Sequence, residues 1–546
     1  MNGIHFLDAL VIVVYLLGIT ALGVWVGRKV KGTGDFFMPR RFGKGMMMMH
    51  AFGTGTASDQ AVIVASSTFK NGLSGIWYQW LWLFNTPFYW LIAPIFRRLR
   101  AVTTADVYSL RFNPSVAILF SIVGIIGLSI KIGLMLKGAG ALIESGTNGA
   151  ISAELTMPII AVLFVIYGMA GGLGAAIITD YIQGILTVVF SFILLPSVLS
   201  AVGGLSSIRE TINDPQILSL VAPDNINALF IASFALLSLI GIVAQPFIMG
   251  VCSAGRTEFD GRFGFVVGNL IKRVCTAAWA VTGIGALAYF LQSGVAIESI
   301  NPDEVYGAMA HTFLPALMPG LLGLFIAALL AGVMSSCDSF MISASGLFTE
   351  NLYKPYVLGK SEKHYMMVGR IVALLIVLGG VLAAYLMPNV VSGLKLWLKI
   401  APMLGIAFWL GLFWRRFNAT GAWASTLGGF AGWWALSKTE LSEPIQILSY
   451  LFFAAVAGVV ASLVSSRPEK EKIDRFHALI RTPVSPDEVL EKPCHLPSGV
   501  APAVRSHFFA GTDFEFPTPS RESIVGFTLS CGAVVAMIYS FIWIMS

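Results

Sequence analysis

The chain has 546 residues, 56% of them hydrophobic and 12% charged, with 38 Phe and 13 Trp. Soluble domains carry about 25% charged residues, so this composition, with its mean hydropathy of +0.79, excludes an ordinary soluble globular protein. The net charge of +6 does not point to nucleic acid, because the basic residues are concentrated in the segments between apolar runs. The five cysteines, Cys252, Cys275, Cys337, Cys494 and Cys531, are scattered and lack metal spacing, which argues against both a disulfide framework and a zinc site.

Apolar runs of about 20 residues recur from end to end, each long enough to cross ~30 Å of hydrocarbon. They are rich in Gly and interrupted by Pro, the pattern of closely packed helices rather than barrel strands. The first run, Phe6 to Val26, has no basic stretch before it and is too long for the apolar region of a signal peptide, so it reads as the first span. Further spans are expected over 45–70, 74–96, 114–144, 156–172, 176–203, 228–251, 263–292, 319–349, 365–387, 393–414, 419–437, 444–465 and 523–545. The fold class is thus an all-α membrane protein of about fourteen transmembrane helices.

Assigning alternate loops to opposite sides places 25 Lys and Arg on one side and 2, Arg209 and Lys438, on the other. The positive-inside rule makes the basic side cytoplasmic and puts both termini outside. A plasma membrane or a bacterial inner membrane is the expectation for a chain of this class. The longest soluble piece, 466–522, is charged and Pro-rich with one short amphipathic helix, and is read as a solvated cytoplasmic linker or, alternatively, a docking segment.

Three segments carry chemistry. "HAFGTGTASDQAVIVASS" (50–67) places Gly53, Thr54, Gly55 and Thr56 mid-span. These are poor helix formers. Either they allow close helix packing, or they break the helix and free carbonyls for a hard cation such as sodium. "YGMAGGLGAAIITDYIQG" (167–184) reads as a tight Gly-rich turn followed by Asp180, either an interfacial acid at a helix start or a buried ion ligand. In "AALLAGVMSSCDSFMISASGLFTENLY" (327–353), Ser335, Asp338 and Ser339 fall at i, i+3 and i+4 and share a helix face. An acid inside the membrane is a functional candidate by default. Lys131, Lys137, Lys395 and Lys399 lie deep in spans, so each calls for a carboxylate, a wet cavity or an anionic solute. No nucleotide-binding loop, zinc-protease helix or nucleophile elbow is present, so no enzyme is expected.

Together these segments resemble the sodium:solute symporter family, which includes sodium/glucose, sodium/galactose, sodium/proline and sodium/sialic acid transporters. The 327–353 segment is similar to the family's eighth core helix. "GGLGAAIITDYIQG" resembles its fifth-helix T-D-x-x-Q motif, and "APMLGIAFWLGLFWRRFNATGAWAS" (401–425) resembles its tenth and eleventh core helices. The resemblance covers nearly the whole chain. It implies a LeuT-type core of two inverted five-helix repeats, with a broken first helix at 45–70 and a broken sixth at 228–251 around Pro246. The expected division is an extra helix and loop (1–44), first repeat (45–203), second repeat (204–414), two accessory helices (415–465), linker (466–522) and a last helix (523–546).

The family's main sodium site maps onto Gly53, Thr56, Gly332, Ser335 and Ser336. A second ion in some members maps onto Asp180, Ser335 and Ser339, although Asp338 stands where those members have Ser, which leaves a second sodium or a proton open. Solute contacts map onto Gln60 and Gln79, with Lys272 matching a seventh-helix lysine or else being a charge at the cytoplasmic helix end beside Arg273. Gln245, beside Pro246, joins them. The family's tenth-helix glutamine is Leu394 here, flanked by Lys395 and Lys399, which favour an acidic sugar or a carboxylate. The expected activity is sodium-coupled symport of a small polar organic solute, with sugar or sugar acid ahead. The alternatives are a proton-coupled symporter, an amino-acid or carboxylate symporter, or a transport-deficient sensor. The expected partners are the solute, Na+ and the lipid bilayer, with no nucleic acid and no obligate protein partner evident.

Overall fold

A computed structural model describes residues 5–27, 36–56, 58–223, 225–485, 488, 492–504, 506–509 and 511–546. The first part of the basic loop expected over 28–44 lies outside them. The main helices are α1 (Phe6–Gly27), α2 (Lys44–Gly53), α3 (Ser58–Asn71), α4 (Thr86–Arg98), α5 (Pro114–Gly146), α6 (Ala153–Ile193), α7 (Ala228–Ile242), α8 (Ile248–Ser253) and α9 (Glu258–Gln292). They continue with α10 (Leu321–Gly346), α11 (Glu362–Leu386), α12 (Val390–Phe413), α13 (Ala419–Leu436), α14 (Glu443–Val464), α15 (Lys470–Arg481) and α16 (Arg521–Met545). Among the described residues, 9 spans are long and apolar enough to cross a membrane in one piece; the other expected spans are short or interrupted, except α13, an unbroken helix of 18 residues that is less apolar.

Two interruptions shape the centre. The span expected over 45–70 is split into α2 and α3, because Thr54 leaves the helical region (φ −60°, ψ 106°) and Gly55 takes φ 81°, a left-handed value that glycine adopts without steric cost. The span expected over 228–251 is split into α7 and α8, with Pro246 in the gap. Proline lacks an N–H and clashes with the preceding turn.

Two expectations change. The Gly-rich turn near 172 contracts to a single residue: Gly172 (φ 58°, ψ −164°) redirects the chain with no loop, and a Cβ there would sit 2.6 Å from the Phe36 carbonyl oxygen. The span expected over 74–96 is not one regular helix. Before α4 it consists of 3₁₀ turns at Gly72–Ile76 and Leu81–Leu83 around a short helix at Trp77–Trp80. Tertiary hydrogen bonds of the indoles account for this: Trp77 Nε1 donates to the Leu220 carbonyl at 2.7 Å and Trp80 Nε1 to that of Arg273 at 3.1 Å.

The packing around the breaks is close. α9 lies on α2 through Gly264 and Gly268, where a Cβ would come 2.7 Å from the Met47 carbonyl carbon and 2.5 Å from the Met48 carbonyl oxygen. α10 is the most buried span and packs on α5 and α6. The 466–522 segment is docked rather than solvated. α15 buries Ile473, Phe476, Leu479 and Ile480. Arg100 meets Glu488 at 2.6 Å and Arg481 meets Glu515 at 2.6 Å. The apolar face of the amphipathic helix is what docks it.

Candidate functional site

The break between α2 and α3 faces α10. Ser336 Oγ donates to the Gly53 carbonyl at 2.8 Å and accepts from the Gly55 N–H at 2.9 Å, so one hydroxyl holds groups released by the broken helix. Thr56 turns back, its hydroxyl donating to the Phe52 carbonyl and its N–H to that of Gly53, the latter at 2.9 Å. Gly332 lies one turn before Ser336 on the same buried helix. Of the residues expected at the sodium site, Gly53 and Ser336 meet directly and Thr56 lies in the same break, while Ser335 is hydrogen-bonded to an acid beside them.

Ser335 Oγ donates to Asp180 Oδ1, and Asp180 Oδ2 meets His50 Nδ1 at 2.6 Å. Asp180 is fully buried, two turns past the Gly172 kink in α6. The cluster abuts the first: a Cβ on Gly53 would lie 3.4 Å from the Asp180 side chain and 3.5 Å from Ser335 Oγ. Asp338, on the same face of α10, has both carboxylate oxygens buried without a hydrogen-bond partner, and Ser339 Oγ likewise has none.

Beside these clusters a small cavity of about 50 Å³ lies between the two broken helices and α9. It is lined by Gln60, Gln79, Gln245 and Lys272, so the four expected solute residues line one space, together with Asn269, Arg273, Lys131, Trp82 and Trp397. Lys272 Nζ donates to the Thr54 carbonyl at 3.1 Å, which ties this cavity to the broken helix. Lys272 is buried mid-way along α9, not a charge at a helix end. Lys395 and Lys399 do not line the cavity; both pair with Glu443, at 2.7 and 2.9 Å.

Sequence reasoning missed one participant and the partners of two others. His50 stands at the start of the segment singled out, but its partner Asp180 is 130 residues away. Lys131 was expected to need a partner, and it is Asp59 at 2.9 Å. Arg273 was set aside as a neighbour of Lys272, yet its guanidinium donates to the Gln79 carbonyl and lies 5.5 Å from the Trp82 ring centre.

The family model of the sodium:solute symporter family matches residues 36–429. The chain belongs to the sodium:solute symporter family. It is a sodium-coupled solute symporter of the membrane, and not an enzyme. This symporter is 26% identical to the sodium/pantothenate symporter of Haemophilus influenzae, over 85% of this chain and 97% of that one. It is 25% identical to the sodium/glucose cotransporter of Vibrio parahaemolyticus, over 85% of this chain and 92% of that one. Among solved structures it resembles a Na+-coupled sialic acid symporter in a substrate-bound outward-open state, with a TM-score of 0.74 and 18% identity, covering 85% of this chain and 99% of that chain. It also resembles Mhp1, a nucleobase-cation-symport-1 family transporter, with a TM-score of 0.53 and 12% identity, covering 81% and 99%. The symporter thus has the LeuT-type inverted-repeat fold, with α2/α3 and α7/α8 as its broken first and sixth core helices.

Proposed function

We propose that this symporter carries a small polar organic solute, a sugar or sugar acid ahead of an amino acid, held by Gln60, Gln79, Gln245 and Lys272. One sodium ion is bound by Gly53, Thr56, Gly332, Ser335 and Ser336. The observation that carries this reading is the Ser336 hydroxyl on the Gly53 carbonyl and the Gly55 amide, next to a cavity that Gly55 itself helps to line. A cation replacing the Ser336–Gly53 hydrogen bond links α10 to the broken helix and fixes the wall of the solute cavity. Binding near a repeat interface on discontinuous helices is the general arrangement of such transporters.

Transport then follows by alternating access. Sodium enters from outside and fixes the broken helix, the solute completes the site, and the helices carrying the site rock to open inward. Sodium leaves first, which frees the Thr54–Lys272 wall and the solute. A second cation at Asp180, Asp338 and Ser339 is supported by Asp338, whose two oxygens are buried without partners. The cytoplasmic side is that of the basic loops, with both termini outside. The test is uptake of a labelled panel of sugars, sugar acids, amino acids and short carboxylates into proteoliposomes. Accumulation is expected only under an inward sodium gradient; accumulation under a proton gradient alone would refute the sodium ligands.

A further inference from the structure

The charge balance of the solute cavity narrows the solute further, on the reading above that this cavity is the solute site. Three cations face it: Lys131, Lys272 and Arg273. Lys131 is neutralised by Asp59 at 2.9 Å. The other two have only neutral partners. Lys272 Nζ donates to the Thr54 carbonyl. Arg273 donates to the Gln79 carbonyl and, at 3.3 Å, to Gln79 Oε1, while its Nε is buried with no hydrogen-bond partner. Lys272 and Arg273 are 4% and 2% exposed. Among the described residues, neither forms an ion pair with a carboxylate.

Unpaired charge inside a membrane is expensive and calls for a partner or a wet cavity. Among the described residues that line the cavity, cations are in excess and there is no carboxylate. Lys395 and Lys399, the lysines that sequence reasoning linked to an acidic solute, are already bound to Glu443 and add nothing to this balance. The neutral side of the cavity is unsatisfied in the complementary sense: Gln60 Oε1 is buried without a donor.

We propose that the transported solute is a small organic monoanion whose carboxylate lies between Lys272 and Arg273 and whose hydroxyl or amide donates to Gln60. A carboxylate accepts from both cations at once, and guanidinium suits it geometrically. A neutral sugar leaves both charges uncompensated. A zwitterion brings an ammonium group into a cavity that already holds an excess of positive charge.

The test uses matched solutes that differ at one group: galacturonate and galactose, gluconate and sorbitol, lactate and 1,2-propanediol, with proline as the zwitterion. Full-length purified protein is titrated with each in saturating sodium, and thermal stability is read. Sodium alone is read first, so failure of the sodium reading shows separately, as no shift before any solute is added. A carboxylate is expected to raise the melting temperature at concentrations at least about tenfold below its neutral partner. Arg273→Gln and Lys272→Gln are each expected to raise the concentration required by about tenfold or more, with Lys272→Arg recovering much of the loss. Equal or tighter binding of the neutral partners or of proline would overturn the proposal. So would unchanged carboxylate affinity in the folded Arg273→Gln protein.

Discussion

Ser336 holds a carbonyl and an amide on the two sides of one helix break, so its hydroxyl is both a structural clasp and a proposed cation ligand. Ser336→Ala leaves the Gly55 N–H without this acceptor and removes one oxygen from the proposed sodium site. The sodium concentration giving half-maximal uptake is expected to rise about tenfold or more, equivalent to ~1.4 kcal/mol. Solute affinity at saturating sodium should change less, and wild-type sodium dependence in the mutant would remove Ser336 from the site. The Lys131–Asp59 pair is a different case. Both side chains are buried, and removing one partner of such a pair costs about 3–5 kcal/mol because the other charge is stranded. Asp59→Asn alone is therefore expected to lower the melting temperature more than Asp59→Asn combined with Lys131→Met. The double mutant being the less stable would rule this out. These two sites differ in how far the sequence revealed them. Gly53 and Thr56 stand out because weak helix formers interrupt an apolar segment, which is local information, whereas Ser336 is reached only through the family resemblance. Asp59 and Lys131 are 72 residues apart, and no spacing rule joins them.

At the scale of elements, α9 shows how packing aims a functional group. Gly264, Gly268 and Lys272 recur every four residues, so they share a face; the glycines bring the helix onto α2, and the lysine one turn further reaches Thr54. The small-residue spacing was present in the sequence, but which helix it would meet was not. The same holds for α12, where two lysines looked available for solute until α14 presented Glu443. The α15 helix was legible as amphipathic, but the surface it would dock on was not. Its docking carries a pH dependence. Burial lowers the affinity of His477 for a proton to about 3, with Glu515 opposing and Arg111, Arg415 and Arg481 adding to the effect. An undocked histidine titrates near 6.5, so between these values the undocked form binds more protons. Docking is thus fully stable above about pH 6.5 and weakens as pH falls. Hydrogen exchange in 470–481 is expected to accelerate from about pH 7.5 to 5.5, after correction for intrinsic rates, and His477→Gln should remove that acceleration. An equal acceleration in the variant would place the acid sensitivity elsewhere.

For the whole molecule, sidedness decides which gradient does work. In the proposed orientation, which rests on the loop charges of 25 against 2, the 350–364 loop is inside and the turn after α13 outside. Glu440 and Lys360 are both exposed, and of the native cysteines four are buried and Cys531 is half-buried. In a Cys531→Ser background, Glu440→Cys should react with an impermeant maleimide on intact cells, and Lys360→Cys only after permeabilisation. The reverse pattern would invert the proposed direction of transport. Sidedness and solute charge together then count the ions. One sodium moving with a monoanion transfers no net charge, so the membrane potential would do no work on the cycle. A second cation at Asp180, Asp338 and Ser339 makes the cycle carry one positive charge inward, worth roughly 2.3 kcal/mol per 100 mV. Uptake of a carboxylate into proteoliposomes at a fixed sodium gradient is therefore expected to rise when the interior is made negative with a potassium diffusion potential. Asp338→Ala should abolish that rise while leaving sodium-dependent uptake measurable. Uptake indifferent to potential in the unaltered protein would mean one sodium per anion, and Asp338 would then be a buried acid without a cation to hold.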